Sequence, residues 1–208
     1  MNRIDLMPGM IFMPGKLDEA AQAALLAQVT ARIAQAPFYR PTMPRSGTPF
    51  TVEMTNFGPL GWVSDRSGYR YQKHHPVTGA AWPDMPPELL SLWNDVCDCP
   101  AAPEACLVNL YREGARMGLH QDQDEDAPEA PVLSVSLGDS AIYRFGGIKR
   151  GGPTRTVKLV SGDVVVFGGA ARFVFHGIDR VQSGSSSLIQ GGGRINLTLR
   201  RVTAMPKN

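Results

Sequence analysis

From Ala105 onward the chain is cut into short strand-like segments, and this restricts the fold more than any other feature. Strands are predicted at 105–111, 132–137, 142–145, 156–160, 164–167, 172–175 and 194–202. Between them stand turn formers, as at Gly138-Asp139, Gly146-Gly147, Gly151-Gly152-Pro153 and Ser161-Gly162-Asp163. Gly, Pro and Asp interrupt a strand or helix and supply the backbone angles of tight turns. Many short strands at this spacing suit an all-β sandwich or jelly roll.

The first half reads differently. Leu25, Val29 and Ile33 recur every four residues, which predicts an amphipathic helix over 18–36 stopped by Pro37. Pro86-Pro87 opens a second helix through about Val96, with Leu89, Leu90 and Trp93 on its buried side. Both helices are expected outside the sheets. Residues 36–51 are rich in Pro, Gly, Ser and Thr and read as a loop, with Met43 and Phe50 as anchors. A short strand is expected at 51–54. Trp62 to His75 is an aromatic and basic stretch with the look of a hairpin. The segment 183–193, ending in three glycines, is expected to be a flexible loop.

A chain of 208 residues suits one domain with a core of ordinary size. A net charge of +2 is too small for nucleic-acid binding by bulk electrostatics, so any such binding must rest on local patches. Cys97, Cys99 and Cys106 are odd in number and crowded, which argues against a secreted disulfide framework and for a reducing cytoplasm. Cys97-Asp98-Cys99 has no second Cys or His pair nearby to complete a zinc site, and buried thiols at a helix end are the plainer reading. Pro8 and Pro14 break up the N-terminus, and no run is long enough for a signal peptide or membrane span.

The chemistry begins with His120-Gln121-Asp122 and a distant His176. Two imidazoles and one carboxylate suit one face of a redox-active iron(II) and leave the opposite face open. Residues two apart on an extended strand point to the same side, so His120 and Asp122 can converge on one ion. The competing reading is a surface histidine beside a solvated acidic loop, with His176 a satisfied residue at a strand end.

The last predicted strand alternates cleanly. Ile195, Leu197 and Leu199 share one face, and Arg194, Asn196, Thr198 and Arg200 share the other. The polar face carries two guanidiniums, each a fork matched to a carboxylate. Leaning inward, they would grip the two ends of a dicarboxylate. Asn109 and Tyr111, also two apart, offer a second polar strand face, or simply an edge pair.

These blocks, taken in order, resemble the AlkB family of iron(II)- and 2-oxoglutarate-dependent DNA/RNA repair dioxygenases. The likeness rests on Asn109-Leu110-Tyr111, His120 to Asp124, Ser134 to Gly138, Phe145-Gly146-Gly147, Gly162 to Val166, His176-Gly177 and Arg194 to Arg200. Met54-Thr55-Asn56, Gly61-Trp62, Gly68-Tyr69 and Trp82-Pro83 extend it through the first half, while 36–51 matches weakly. The resemblance implies an α+β, mainly β fold: a double-stranded β-helix with N-terminal helices outside and a nucleotide-recognition lid. It implies one domain, with 1–104 the helical and recognition part and 105–202 the catalytic core. It implies that His120, Asp122 and His176 hold Fe(II), that Asn109, Tyr111, Arg194, Asn196 and Arg200 bind 2-oxoglutarate, and that Trp62, Tyr69, Asp124 and Arg150 line the nucleotide site.

The activity so implied is oxidative demethylation of bases such as 1-methyladenine and 3-methylcytosine, using O2 and 2-oxoglutarate and releasing succinate, CO2 and formaldehyde. The expected partner is single-stranded DNA, with RNA as an alternative, and the expected state is a monomer. Arg66, Arg70, Lys73, Arg144, Lys149, Arg150 and Arg155 form two clusters suited to tracking phosphates, or ordinary solvated faces. Rival readings are an oxygenase of the same chemistry acting on a small molecule or protein side chain, a nucleic-acid-binding module without turnover, and a cupin-like protein related in architecture only.

Overall fold

The computed structural model describes residues 2–205. Its larger sheet has seven strands, in spatial order β1 (Ile4–Met7), β2 (Met10–Met13), β11 (Val164–Phe167), β8 (Val132–Gly138), β13 (Arg194–Arg200), β6 (Ala105–Tyr111) and β3 (Glu53–Phe57). The smaller sheet runs β10 (Arg155–Leu159), β9 (Ser140–Phe145), β12 (His176–Gln182) and β7 (Met117–His120). A separate hairpin pairs β4 (Gly61–Asp65) with β5 (Gly68–Gln72). Neighbouring strands are antiparallel throughout. This is the jelly-roll arrangement that the strand spacing predicts.

Two apolar layers hold it together. Helices α1 (Glu19–Ile33) and α2 (Pro87–Val96) lie against the outer face of the larger sheet. There Leu25, Val29, Leu89 and Trp93 share one core with Val108, Leu133, Val135, Leu197 and Leu199. The inner layer joins the sheets through Leu107, Tyr111, Phe167, Tyr143, Phe145 and Ile178. Asp18 caps α1 by accepting from the Ala21 N–H at 2.8 Å, and Pro87 starts α2.

Several expectations are corrected. The predicted strand at 172–175 is a turn that leaves a short 3-10 segment at Gly169–Ala171, and the strand begins at His176. The side chain of Arg172 is buried and binds main-chain carbonyls, which holds this segment in a coil. The N-terminus, read as broken up, forms a hairpin instead: Gly9 turns it at φ 83°, and β2 pairs with β11. Strand β7 ends at His120, where the chain was expected to pass from a strand into a loop. The 183–193 loop is moored on Asp139, whose carboxylate accepts from the N–H groups of Gly184, Ser186 and Gly193 at 3.3, 3.0 and 2.9 Å. Among the described residues, no helix is long and apolar enough to cross a membrane.

Candidate active site

Antiparallel pairing of β7 with β12 places His120 directly opposite His176. Asp122 lies just beyond the end of β7, its carboxylate 3.7 Å from His120 Nε2 and 3.9 Å from His176 Nε2. One donor atom from each of the three lies within 4.8 Å of the others. Each histidine Nδ1 faces a main-chain oxygen: Gly118 at 2.9 Å for His120 and Val174 at 3.1 Å for His176. A carbonyl only accepts, so Nδ1 carries the proton in both rings. Both Nε2 lone pairs are thereby left for a metal.

Charge states agree with that use. Burial, followed by the neighbouring His120, pushes His176 down to about 4, so its ring is neutral at pH 7. Burial alone would raise Asp122. The Arg200 guanidinium, with the two imidazoles, overcomes it and holds the carboxyl well below the usual range. Gly177 makes the close strand approach possible, since an added Cβ would collide with the main-chain oxygens of Met117 and Gly118.

Beside the triad, the polar face of β13 points between the sheets rather than into solvent. Register puts Arg194 beside Tyr111 and Asn196 beside Asn109. A small cavity is lined by these four together with Ser134, Tyr143, His176 and Arg200. Arg194 is 1 % exposed; its Nη2 donates to Ser136 Oγ at 3.0 Å and its guanidinium lies 5.3 Å from the Tyr111 ring centroid, while among the described residues Nε and Nη1 have no hydrogen-bond partner. Asn109 Oδ1 and the Tyr143 hydroxyl are also buried without hydrogen-bond partners among the described residues. A buried guanidinium with unmet N–H groups is costly unless an anion fills the fork. The orphaned Arg194 N–H groups and the Tyr143 hydroxyl fit a carboxylate-bearing cosubstrate held next to a metal.

The two arginines are not equivalent. Arg200 spends Nε and Nη2 on Asp122 Oδ2, at 3.0 and 2.8 Å. Asn196 is also engaged within the protein: its Nδ2 donates to Ser134 Oγ at 2.8 Å and to Val135 O at 3.1 Å. Its Oδ1 accepts from Thr198 Oγ1 at 2.9 Å.

A second, larger cavity of about 570 Å3 brings Trp62, Tyr69, Asp124 and Arg150 together with His120 and Asp122. Trp62 Nε1 donates to Asp124 Oδ2 at 2.8 Å. Trp62 and Tyr69 stack at 5.5 Å between centroids, and Tyr69 stays 49 % exposed. Arg150 lies over the Phe175 ring at 4.7 Å. Met43 and Phe50, the expected loop anchors, also line this cavity.

The basic clusters survive only in part. Arg70 is paired in a fork with Asp65 at 3.0 and 2.8 Å, and Arg144 is locked onto Asp179. Arg155 donates to the Leu6 carbonyl. Arg66, Lys73, Lys149 and Arg150 remain exposed. Sequence reasoning missed Tyr71, Glu125, Tyr143 and Arg172. A lone arginine inside the apolar run 164–175 was a usable signal for Arg172; nothing set Glu125 apart within its acidic loop.

Residues 9–200 match the family model described as the 2OG-Fe(II) oxygenase superfamily. The chain is 56% identical over 201 residues to an alpha-ketoglutarate-dependent dioxygenase AlkB homolog of Caulobacter vibrioides, covering 96% of this chain and 90% of that protein. It is 40% identical over 186 residues to the alpha-ketoglutarate-dependent dioxygenase AlkB of Escherichia coli, covering 88% of this chain and 85% of that one. The solved structure of OsALKBH1 superposes with a TM-score of 0.85 at 29% identity, covering 96% of this chain and 100% of that one. With its two-histidine, one-carboxylate cluster and its jelly roll, the chain belongs to the 2OG-Fe(II) oxygenase superfamily and, within it, to the AlkB family.

Proposed function

We propose that this dioxygenase removes N-alkyl groups from the bases of single-stranded nucleic acid, DNA foremost and RNA as the alternative. One observation carries the reading. A single cavity joins His120 and Asp122 to Trp62, Tyr69 and Asp124, so a base stacked there lies against the metal ligands.

His120, Asp122 and His176 would hold Fe(II), and Arg194, Asn109 and Tyr111 would hold 2-oxoglutarate. When bound, the metal and cosubstrate supply the oxidation of the methyl C–H, with 2-oxoglutarate leaving as succinate and CO2. Arg194 would take a carboxylate of 2-oxoglutarate, because its N–H groups without a hydrogen-bond partner among the described residues line the small cavity. Arg200 keeps Asp122 ionised and fixed, and Asn196 holds the strand faces in place rather than serving as a free donor.

Damage selection follows from charge and pairing. A methyl on the Watson–Crick edge abolishes pairing, so that base leaves the stack at little cost. Such a base is cationic at neutral pH. A cation over an aromatic face gains about 0.5–2 kcal/mol, and Trp62 or Tyr69 offers that face. Asp124 adds an opposite charge. Arg66 and Lys73, exposed at the β4–β5 hairpin, and Lys149 and Arg150, exposed between β9 and β10, would attract the phosphates. We read the chain as one domain acting as a cytoplasmic monomer.

The test is anaerobic loading with Fe(II) and 2-oxoglutarate, then oxygen and a methylated oligonucleotide, with formaldehyde measured. Formaldehyde in step with succinate supports the proposal. Succinate production that is indifferent to every methylated oligonucleotide, yet rises with a small molecule or peptide, would replace it with the rival oxygenase.

A further inference from the structure

A buried chain of charges joins the metal ligands to the hairpin that carries the aromatic pair. Arg172, four residues before His176, makes three hydrogen bonds: Nη1 to the Asp122 carbonyl at 2.6 Å, Nε to the Ala130 carbonyl at 3.0 Å, and Nη2 to Glu125 Oε2 at 2.8 Å. The other Glu125 oxygen accepts from the Tyr71 hydroxyl at 2.5 Å and lies 3.6 Å from Arg200 Nε. Arg200 in turn grips Asp122. The side chains of Arg172 and Glu125 are each 2 % exposed.

The staple between the two ligand-bearing segments is reciprocal. Arg172 holds the main chain of Asp122, and Gln121 Nε2 donates back to the Phe173 carbonyl. The loop behind His120 and the turn before His176 are therefore tied in both directions. At the other end, Tyr71 is the cross-strand partner of Trp62 in the hairpin. Trp62 and Tyr71 thus clasp consecutive carboxylates, Asp124 and Glu125.

We propose that Arg172 and Glu125 are positioning residues that fix the three metal ligands relative to one another and, through Tyr71, tie the substrate hairpin to the same frame. The first part needs no nucleic acid; the link to substrate rests on the function proposed above. Burial excludes a solvated role: two guanidiniums and two carboxylates taken out of water persist only when each is met by partners in fixed geometry. Groups that orient metal ligands from behind typically change metal affinity 10–100-fold when altered.

The experiment is anaerobic titration of the full chain with Co(II), followed by its visible absorption, for wild type, Arg172→Lys and Tyr71→Phe. Lysine keeps the charge and loses the fork; phenylalanine removes only the hydroxyl. Affinity is expected to fall about tenfold in Arg172→Lys and about two- to threefold in Tyr71→Phe, each with an altered cobalt spectrum at unchanged far-UV circular dichroism. Wild-type affinity and spectrum in both folded variants would overturn the proposal. If Arg172→Lys fails to fold, Tyr71→Phe decides alone. The cobalt arm uses no oligonucleotide, so it stands or falls separately from formaldehyde release. For the hairpin link, a methylated oligonucleotide should perturb the cobalt spectrum of wild type more than that of Tyr71→Phe. Equal perturbation in both would overturn that link, and no binding by wild type would instead count against the substrate reading.

Discussion

His120 and His176 are Cα partners across antiparallel strands, with their ring centroids 4.6 Å apart. The metal site is therefore built from a cross-strand pair plus one carboxylate from the adjoining loop, and its geometry depends on strand spacing. Gly177 sets that spacing. In Gly177→Ala the new Cβ would push β7 away from β12. Anaerobic Fe(II) or Co(II) titration should show affinity lower by roughly tenfold or more. Unchanged affinity would show that the strands can part without moving the ligands.

The arginines of β13 should separate in kinetics. Arg194→Met removes a guanidinium with two unmet N–H groups and is expected to raise the KM for 2-oxoglutarate about a hundredfold, which corresponds to about 3 kcal/mol for charged hydrogen bonds. Its Fe(II) affinity should stay near wild type. Arg200→Met should do the reverse in the metal titration, because Asp122 loses its buried counter-charge. Equal effects of both substitutions on both measurements would show that the two side chains share one role.

Trp62→Ala should act on the substrate side. It removes the stacked face and the Asp124 partner, so the KM for a methylated oligonucleotide is expected to rise about 2- to 30-fold, the range set by about 0.5–2 kcal/mol. Succinate formed per formaldehyde should rise as well, since oxidation continues with the base poorly held. Steady-state assays of both products check this.

Acid should destabilise the metal-free protein through His176. Its folded pKa is about 4 against an ordinary 6.5, so the unfolded chain binds the proton more tightly. The contribution of this residue is complete above pH 6.5 and declines as pH falls toward 4, at up to about 1.4 kcal/mol per pH unit. The depressed Asp122 adds a further loss below the ordinary carboxylate range. Thermal unfolding of chelator-treated protein across this window measures the effect, and His176→Gln should flatten its upper part.

Much of this was legible in the residues alone. The alternation at 194–200 identified a strand with one apolar and one polar face, because that signal rests on local spacing; His120 and Asp122 offered a pair of ligands two residues apart, while the distant His176 was joined to them only through the family resemblance. The helices were legible for the same reason, from apolar residues at helical intervals and prolines at the ends. Residues 172–175 misled, since Phe173-Val174-Phe175 is a short apolar run of strand-forming residues, but the buried Arg172 binds main-chain carbonyls and the chain turns there.

What the tertiary structure decided is which charges meet. Arg70, Arg144, Arg194 and Arg200 look alike in sequence. Folding pairs the first two with Asp65 and Asp179, sets Arg200 on Asp122, and leaves Arg194 with open donors in a cavity. The same holds for Glu125, which becomes a buried link only because β5, the 172 turn and β13 converge on it. Local periodicity depends on neighbours along the chain and can be read from it; charge pairing depends on strand register and on loops distant in sequence, which only the assembled sheets bring together.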